Sequence, residues 1–87
     1  MQERSILLVD DEHELNSIMA DILTAEGFTS IYTASDGEVA LELIAQHSHI
    51  SLVVSDIQMP RFDGYKLLQT IKKNHPDISV ILLSGLG

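Results

Sequence analysis

Short apolar runs separated by helical stretches restrict this chain more than any other feature. Ile6-Leu7-Leu8-Val9, Leu52-Val53-Val54 and Val80-Ile81-Leu82-Leu83 contain no polar residue, and Thr29 to Ala34 reads as a further strand with Ile31 and Tyr32 inside it. Bare runs of this length suit strands covered on both faces, whereas half-exposed strands alternate apolar with polar. Leu15, Ile18, Met19, Ile22 and Leu23 recur with the spacing of one face of an amphipathic helix, and Gly27 follows as a stop. Ser35-Asp36-Gly37-Glu38 marks a turn and a helix start, with Val39, Ala40, Leu41, Leu43 and Ile44 in the second helix and His47-Ser48-His49 breaking it. Tyr65 to Lys73 forms a short third helix with Leu68 and Ile71 facing inward, ended by Pro76-Asp77.

The order is therefore βαβαβαβ. Strands joined by crossovers of this length run parallel and cross over right-handedly, and helices must cover both sheet faces. The expected fold is α/β: a doubly wound parallel sheet of flavodoxin-like order 2-1-3-4 in three αβα layers. Ligands of such sheets bind outside the carboxyl ends of the strands, where the strand order reverses. That reversal lies between the first and third strands, each of which ends in acids: Asp10-Asp11 and Asp56.

Size and charge remove other classes. At 87 residues the chain is one domain at most, and such a chain buries only about 60–65% of its unfolded surface. It has no cysteine, hence no disulfide framework and no thiolate zinc site. Five Lys+Arg against thirteen Asp+Glu give a net charge of −8, which disfavours nucleic acid and anionic membrane as direct partners. No run approaches the roughly 20 apolar residues of a membrane span, and the first residues carry no signal-peptide pattern. A cytoplasmic location is expected.

The acids carry the chemistry. Neighbouring strands lie about 4.8 Å apart, so carboxylates at adjacent strand ends converge and raise one another's pKa unless a cation sits among them. A hard divalent ion with oxygen ligands answers this, and Mg2+ takes one or two carboxylates plus water and phosphate oxygens. An aspartate can also act as a nucleophile and carry a covalent phosphate. Acid pairs after strands also occur as solvated loop residues or helix N-caps; it is Asp56, across the switch point from Asp10-Asp11, that favours a site. Glu12 fits the negative start of the first helix and Lys72-Lys73 a solvated helix end. His13, His47, His49 and His75 share no metal-ligand spacing, and His47 and His49 read as solvated surface. Met19 reads as core.

With these residues in place, the sequence resembles the receiver domain of bacterial response regulators, the CheY-like fold of two-component signalling. The likeness runs from Ser5 to the last residue. It rests on Leu8-Val9-Asp10-Asp11-Glu12, on Val54-Ser55-Asp56 followed by Met59-Pro60 and Asp63-Gly64, and on Leu83-Ser84-Gly85. The resemblance implies that a histidine kinase or phosphotransfer domain hands a phosphoryl group to Asp56 with Mg2+ as cofactor. Asp11 matches the acid that binds the metal directly, Asp10 the one acting mostly through water, and the Gln58 backbone carbonyl the third protein ligand. Ser84 matches the hydroxyl that contacts the phosphoryl oxygens, Gly85 the small residue that leaves room for them, and Pro60 and Gly64 shape the loop after the acceptor.

A complete receiver has five βα units, so residues 1–87 are expected to form a partial receiver domain lacking the fourth helix, fifth strand and fifth helix. The lysine that pairs with the phosphoryl group in the family falls in that region. Lys66, Lys72 and Lys73 lie on or beside the third helix, and nothing in the sequence fixes Arg61 toward the phosphate. Impaired phosphorylation is expected, and no turnover activity. The uncharged fourth strand should present a bare sheet edge that invites self-association. Two alternatives stand beside this reading. One is an interaction or dimerisation module that is not phosphorylated. The other is a Mg2+-dependent aspartyl phosphohydrolase, against which stands Gln58, where such enzymes carry a second acid two residues after the nucleophile.

Overall fold

The computed structural model describes residues 4–57 and 63–83. The elements run β1 (Ser5–Val9), α1 (His13–Ala25), β2 (Ile31–Ala34), α2 (Gly37–Gln46), β3 (Ile50–Asp56), α3 (Gly64–Asn74) and β4 (Ser79–Leu83). All four strands are parallel, in the order β2-β1-β3-β4. The expected flavodoxin-like topology is thus the observed one, with the reversal of strand order at β1 and β3. β2 is shorter than expected, since its pairing with β1 begins at Ile31.

Local chemistry sets the helix ends. The Asp36 carboxylate accepts the Val39 N–H at 2.9 Å and the Asp63 carboxylate accepts the Lys66 N–H at 2.8 Å, each satisfying a backbone donor that the first helical turn leaves without a partner. α1 has Glu12 at its N-cap with no side-chain cap bond. Gly27 ends α1 in the left-handed region at φ 103°, where a side chain would clash with its own backbone. The Phe28 N–H then returns to the Leu23 carbonyl at 3.1 Å.

The two sheet faces differ. Leu7, Val9 and Val53 point to the face covered by α2 and α3, where they form one cluster with Ala40, Ile44, Leu67 and Ile71. Leu7, Val53, Leu67 and Ile71 are fully buried, and a buried side chain of this kind contributes about 1.5–3 kcal/mol. Leu67, rather than Leu68, is the main inward residue of α3 beside Ile71; Leu68 is half-buried.

The opposite face carries α1 over Ile6 and Leu8. Here the expectation of a buried apolar stripe fails. Leu15, Ile18 and Ile22 are 43%, 54% and 53% exposed, Met19 is only half-buried, and Asn16 is the buried residue of α1. Among the described residues α1 is the sole helix on this face and packs on β1 and β2, so its outer flank and the β4 residues Ile81 and Leu83 stay open. Two further corrections concern surface residues. His47 is half-buried and stacks on Tyr32 with ring centroids 4.4 Å apart. Lys72 reaches past the helix end to donate to the Ile78 carbonyl at 2.7 Å.

Candidate metal centre

Parallel pairing brings the acids together. Val9 of β1 lies opposite Ser55 of β3, so the residues that follow them, Asp10 and Asp56, leave the sheet side by side. Asp10, Asp11 and Asp56 each offer a carboxylate oxygen within 4.8 Å of the other two. Asp11 is exposed, while Asp10 and Asp56 are half-buried.

Asp10 is tied at three points. Its N–H donates to the Ala34 carbonyl at 3.1 Å, its own carbonyl accepts from Asn16 Nδ2 at 3.1 Å, and its Oδ1 accepts the Glu12 N–H at 2.9 Å. Burial pushes the Asp10 carboxyl above its usual range, against the lowering effect of the Glu12 N–H, and the negative charges of Asp56 and Asp11 push the same way. A carboxylate crowded in this manner is relieved by a cation. Among the described residues the group consists of three carboxylates with no histidine or cysteine in it, a set of hard oxygens that fits a hard ion such as Mg2+. The donor set therefore fits the ion that the sequence implies.

β3 and α3 support the third acid. The buried Ser55 hydroxyl donates to the Asp56 carbonyl at 2.9 Å. The Ile57 N–H continues the ladder to the Leu83 carbonyl at 3.1 Å, and the Gly64 N–H donates to the Ile57 carbonyl at 2.8 Å. Gly64 sits so close that a Cβ there would fall 2.5 Å from the Asp56 carbonyl oxygen and 2.8 Å from the Ile57 Cα. A cleft of about 100 Å³ runs from Asp10 and Asp56 under α1, lined by Leu8, Leu15, Met19, Val54 and Leu83.

Of the residues expected at the site, Asp10, Asp11 and Asp56 are brought together. Gln58 and Ser84 lie outside the described residues, as do Pro60, Arg61 and Gly85. Lys72 is held at the far end of β4 by the Ile78 carbonyl, and Lys66 and Lys73 are exposed on α3. Asn16 is hidden in the sequence because both its acceptors, the Asp10 and Ala34 carbonyls, come from outside its helix. Its one signal is an amide embedded beside an apolar helical repeat.

The family model described as response regulator receiver domain matches residues 6–87. The chain belongs to the response regulator receiver domain family. This receiver is 40% identical over 85 residues to the probable transcriptional regulator ycf27 of Cyanidium caldarium, covering 98% of this chain and 33% of that protein. It is 40% identical over 83 residues to the nitrogen assimilation regulatory protein NtrX of Azorhizobium caulinodans, covering 94% of this chain and 18% of that one. Among solved structures it resembles the response regulator TrrA of Thermotoga maritima in complex with Mg2+-BeF. There the TM-score is 0.86 and the identity 36%, over 93% of this chain and 69% of that one. The receiver thus spans about a third or less of the length of these curated relatives. Among the described residues no helix is long and apolar enough to cross a membrane.

Proposed function

We propose that the chain is the phosphoacceptor portion of a cytoplasmic two-component receiver. Asp56 would take a phosphoryl group from the phosphohistidine of a histidine kinase or phosphotransfer domain. In the transfer the P–N bond breaks and a P–O bond forms to Asp56. The imidazole nitrogen leaves with the bonding electrons, and Asp56 becomes an acyl phosphate. The observation that carries this reading is the convergence of Asp10, Asp11 and Asp56 at one end of adjacent strands, in a chain of the receiver family. Asp10, Asp11, Asp56 and the Gln58 carbonyl would hold the Mg2+, which when bound offsets the charge of the incoming phosphoryl oxygens. Ser84 would contact those oxygens. The relatives' names support a regulatory context, and TrrA supports a magnesium site of this family in particular.

We read residues 1–87 as a partial receiver domain and not as a turnover enzyme. Gln58 stands where an aspartyl phosphohydrolase would need its second acid. None of Lys66, Lys72 and Lys73 on α3 matches the lysine that pairs with the phosphoryl group in the family, so impaired phosphorylation is expected of residues 1–87. The test is Mg2+ titration followed by backbone NMR. Wild type should respond at Asp10, Asp11 and Asp56 with weak affinity, and Asp11→Ala should lose the response. An unchanged titration curve in Asp11→Ala would sink the assignment.

Self-association belongs to the same reading. β4 pairs only with β3 among the described residues. Its segment Ser79–Leu83 carries no charge, and Ile81 and Leu83 are 48% and 47% exposed. Uncharged open edges recruit further strands, so a second copy is expected to pair there. Light scattering behind a sizing column should read a dimer at tens of micromolar, on the order of ordinary sizing conditions; a strictly monomeric peak would reject the idea.

A further inference from the structure

We propose that Asn16 is a positioning residue for the acid cluster, holding the turn that carries Asp10 and Asp11 against the end of β2. The proposal rests on reading that cluster as a Mg2+ centre. Asn16 lies in the first turns of α1 and is only 5% exposed. Its Nδ2 donates to two backbone carbonyls from different strands, Asp10 at the end of β1 and Ala34 at the end of β2, each at 3.1 Å. Both partners are carbonyl oxygens, so the amide must present its NH2 group to them; the opposite orientation would set oxygen against oxygen.

Three consequences follow from that geometry. First, the Asp10 carbonyl shares one rigid peptide plane with the Asp11 N–H. Fixing that carbonyl therefore fixes where the chain turns to deliver the Asp11 carboxylate. Second, the Ala34 carbonyl accepts from both Asn16 Nδ2 and the Asp10 N–H, which uses both of its lone pairs and ties α1, β1 and β2 at one point. Third, with that backbone tied, the Asp10 carboxylate is set by the Glu12 N–H and by its side-chain hydrogen bond with Asp11. Packing does not account for an amide here. A leucine of similar size would suit the apolar cleft beside it, which Leu8, Leu15 and Met19 also line. What a leucine lacks is a donor for the part-buried Asp10 carbonyl and a second donor for the buried Ala34 carbonyl, which would keep only the Asp10 N–H.

Groups that orient metal ligands without touching the metal commonly change affinity by about 10–100-fold when removed. Asn16→Leu in the full chain should therefore weaken Mg2+ binding about tenfold, measured by NMR titration at a temperature where the variant is folded. Ile44→Val is the control, since Ile44 is a buried residue of α2, on the sheet face opposite α1, and makes no polar contact with the acids; it should lower stability and leave Mg2+ affinity at the wild-type value. Wild-type affinity in Asn16→Leu, or an equal loss in Ile44→Val, would overturn the proposal. Should Asn16→Leu not fold, wild type decides. The Asn16 side-chain NH2 signals should shift with the same Mg2+ midpoint as the Asp10 backbone N–H, and static NH2 signals reject the role. A wild type that shows no Mg2+ response removes the metal centre itself and the proposal with it. A wild type that responds while Asn16→Leu is unaffected removes only the role of Asn16.

Discussion

Asp56→Asn is expected to abolish phosphoryl uptake from a phosphorylated histidine kinase, with labelling falling to background. An amide oxygen carries no full negative charge and cannot form an acyl phosphate, so the variant removes the nucleophile while keeping its shape. The neighbours allow a sharp contrast. Asp10→Asn and Asp11→Asn alter the oxygen set of the proposed cation site but leave the Asp56 carboxylate in place. They should slow labelling and raise the Mg2+ requirement without changing which residue is labelled. Asp56→Asn should also retain part of the Mg2+ response, because Asp10 and Asp11 remain. Undiminished label in Asp56→Asn, or label mapped to Asp10 or Asp11, would place the acceptor elsewhere and end the receiver reading of this site.

Asp56 was readable from sequence for a reason that does not extend to its surroundings. A bare apolar run ending in an acid signals a buried parallel strand and its carboxyl end, and two such ends at a switch point must lie near each other. Parallel strands with acids at their carboxyl ends follow from those rules; the meeting of Asp10 with Asp56 needs in addition the flavodoxin-like order, which the structure has. The burial of α1 does not. A repeat such as Leu15, Ile18, Ile22 tells which helix face is apolar, but not whether another element covers it, and on this side of the sheet the described residues supply only α1. Asn16 was hidden for the same physical reason in reverse: its worth lies in carbonyls of Asp10 and Ala34 that only the folded sheet brings within reach. His47 reads as loop surface because its stacking partner, Tyr32, lies on β2 while His47 caps the end of α2. Sequence neighbours could not reveal contacts made across the crossovers.

Gly64 shows how closely that non-local packing controls the site, and Gly64→Ala is the substitution expected to cost most for its size. Its methyl group would sit 2.5 Å from the Asp56 carbonyl oxygen and 3.2 Å from the Asp56 carbonyl carbon. These are backbone atoms of β3, so no side chain can swing aside; either α3 withdraws or the end of β3 bends. Each route stretches the hydrogen bond from the Gly64 N–H to the Ile57 carbonyl, now 2.8 Å, and moves Asp56, the proposed acceptor. Forced overpacking of this kind costs about 1–3 kcal/mol, and in a domain of this size each kcal/mol lowers the melting temperature by about 4–8 °C. Gly27→Ala separates stability from site geometry. Gly27 has a left-handed φ of 103° and open space where a Cβ would go, so alanine there brings backbone strain of about 1–2 kcal/mol at the far end of α1. Gly27→Ala should melt earlier with Mg2+ affinity intact, whereas Gly64→Ala should melt earlier, bind Mg2+ more weakly and accept phosphoryl groups more slowly. A Gly64→Ala protein with wild-type Mg2+ affinity and wild-type melting would mean that the start of α3 is free to move, and that it does not hold Asp56 in place.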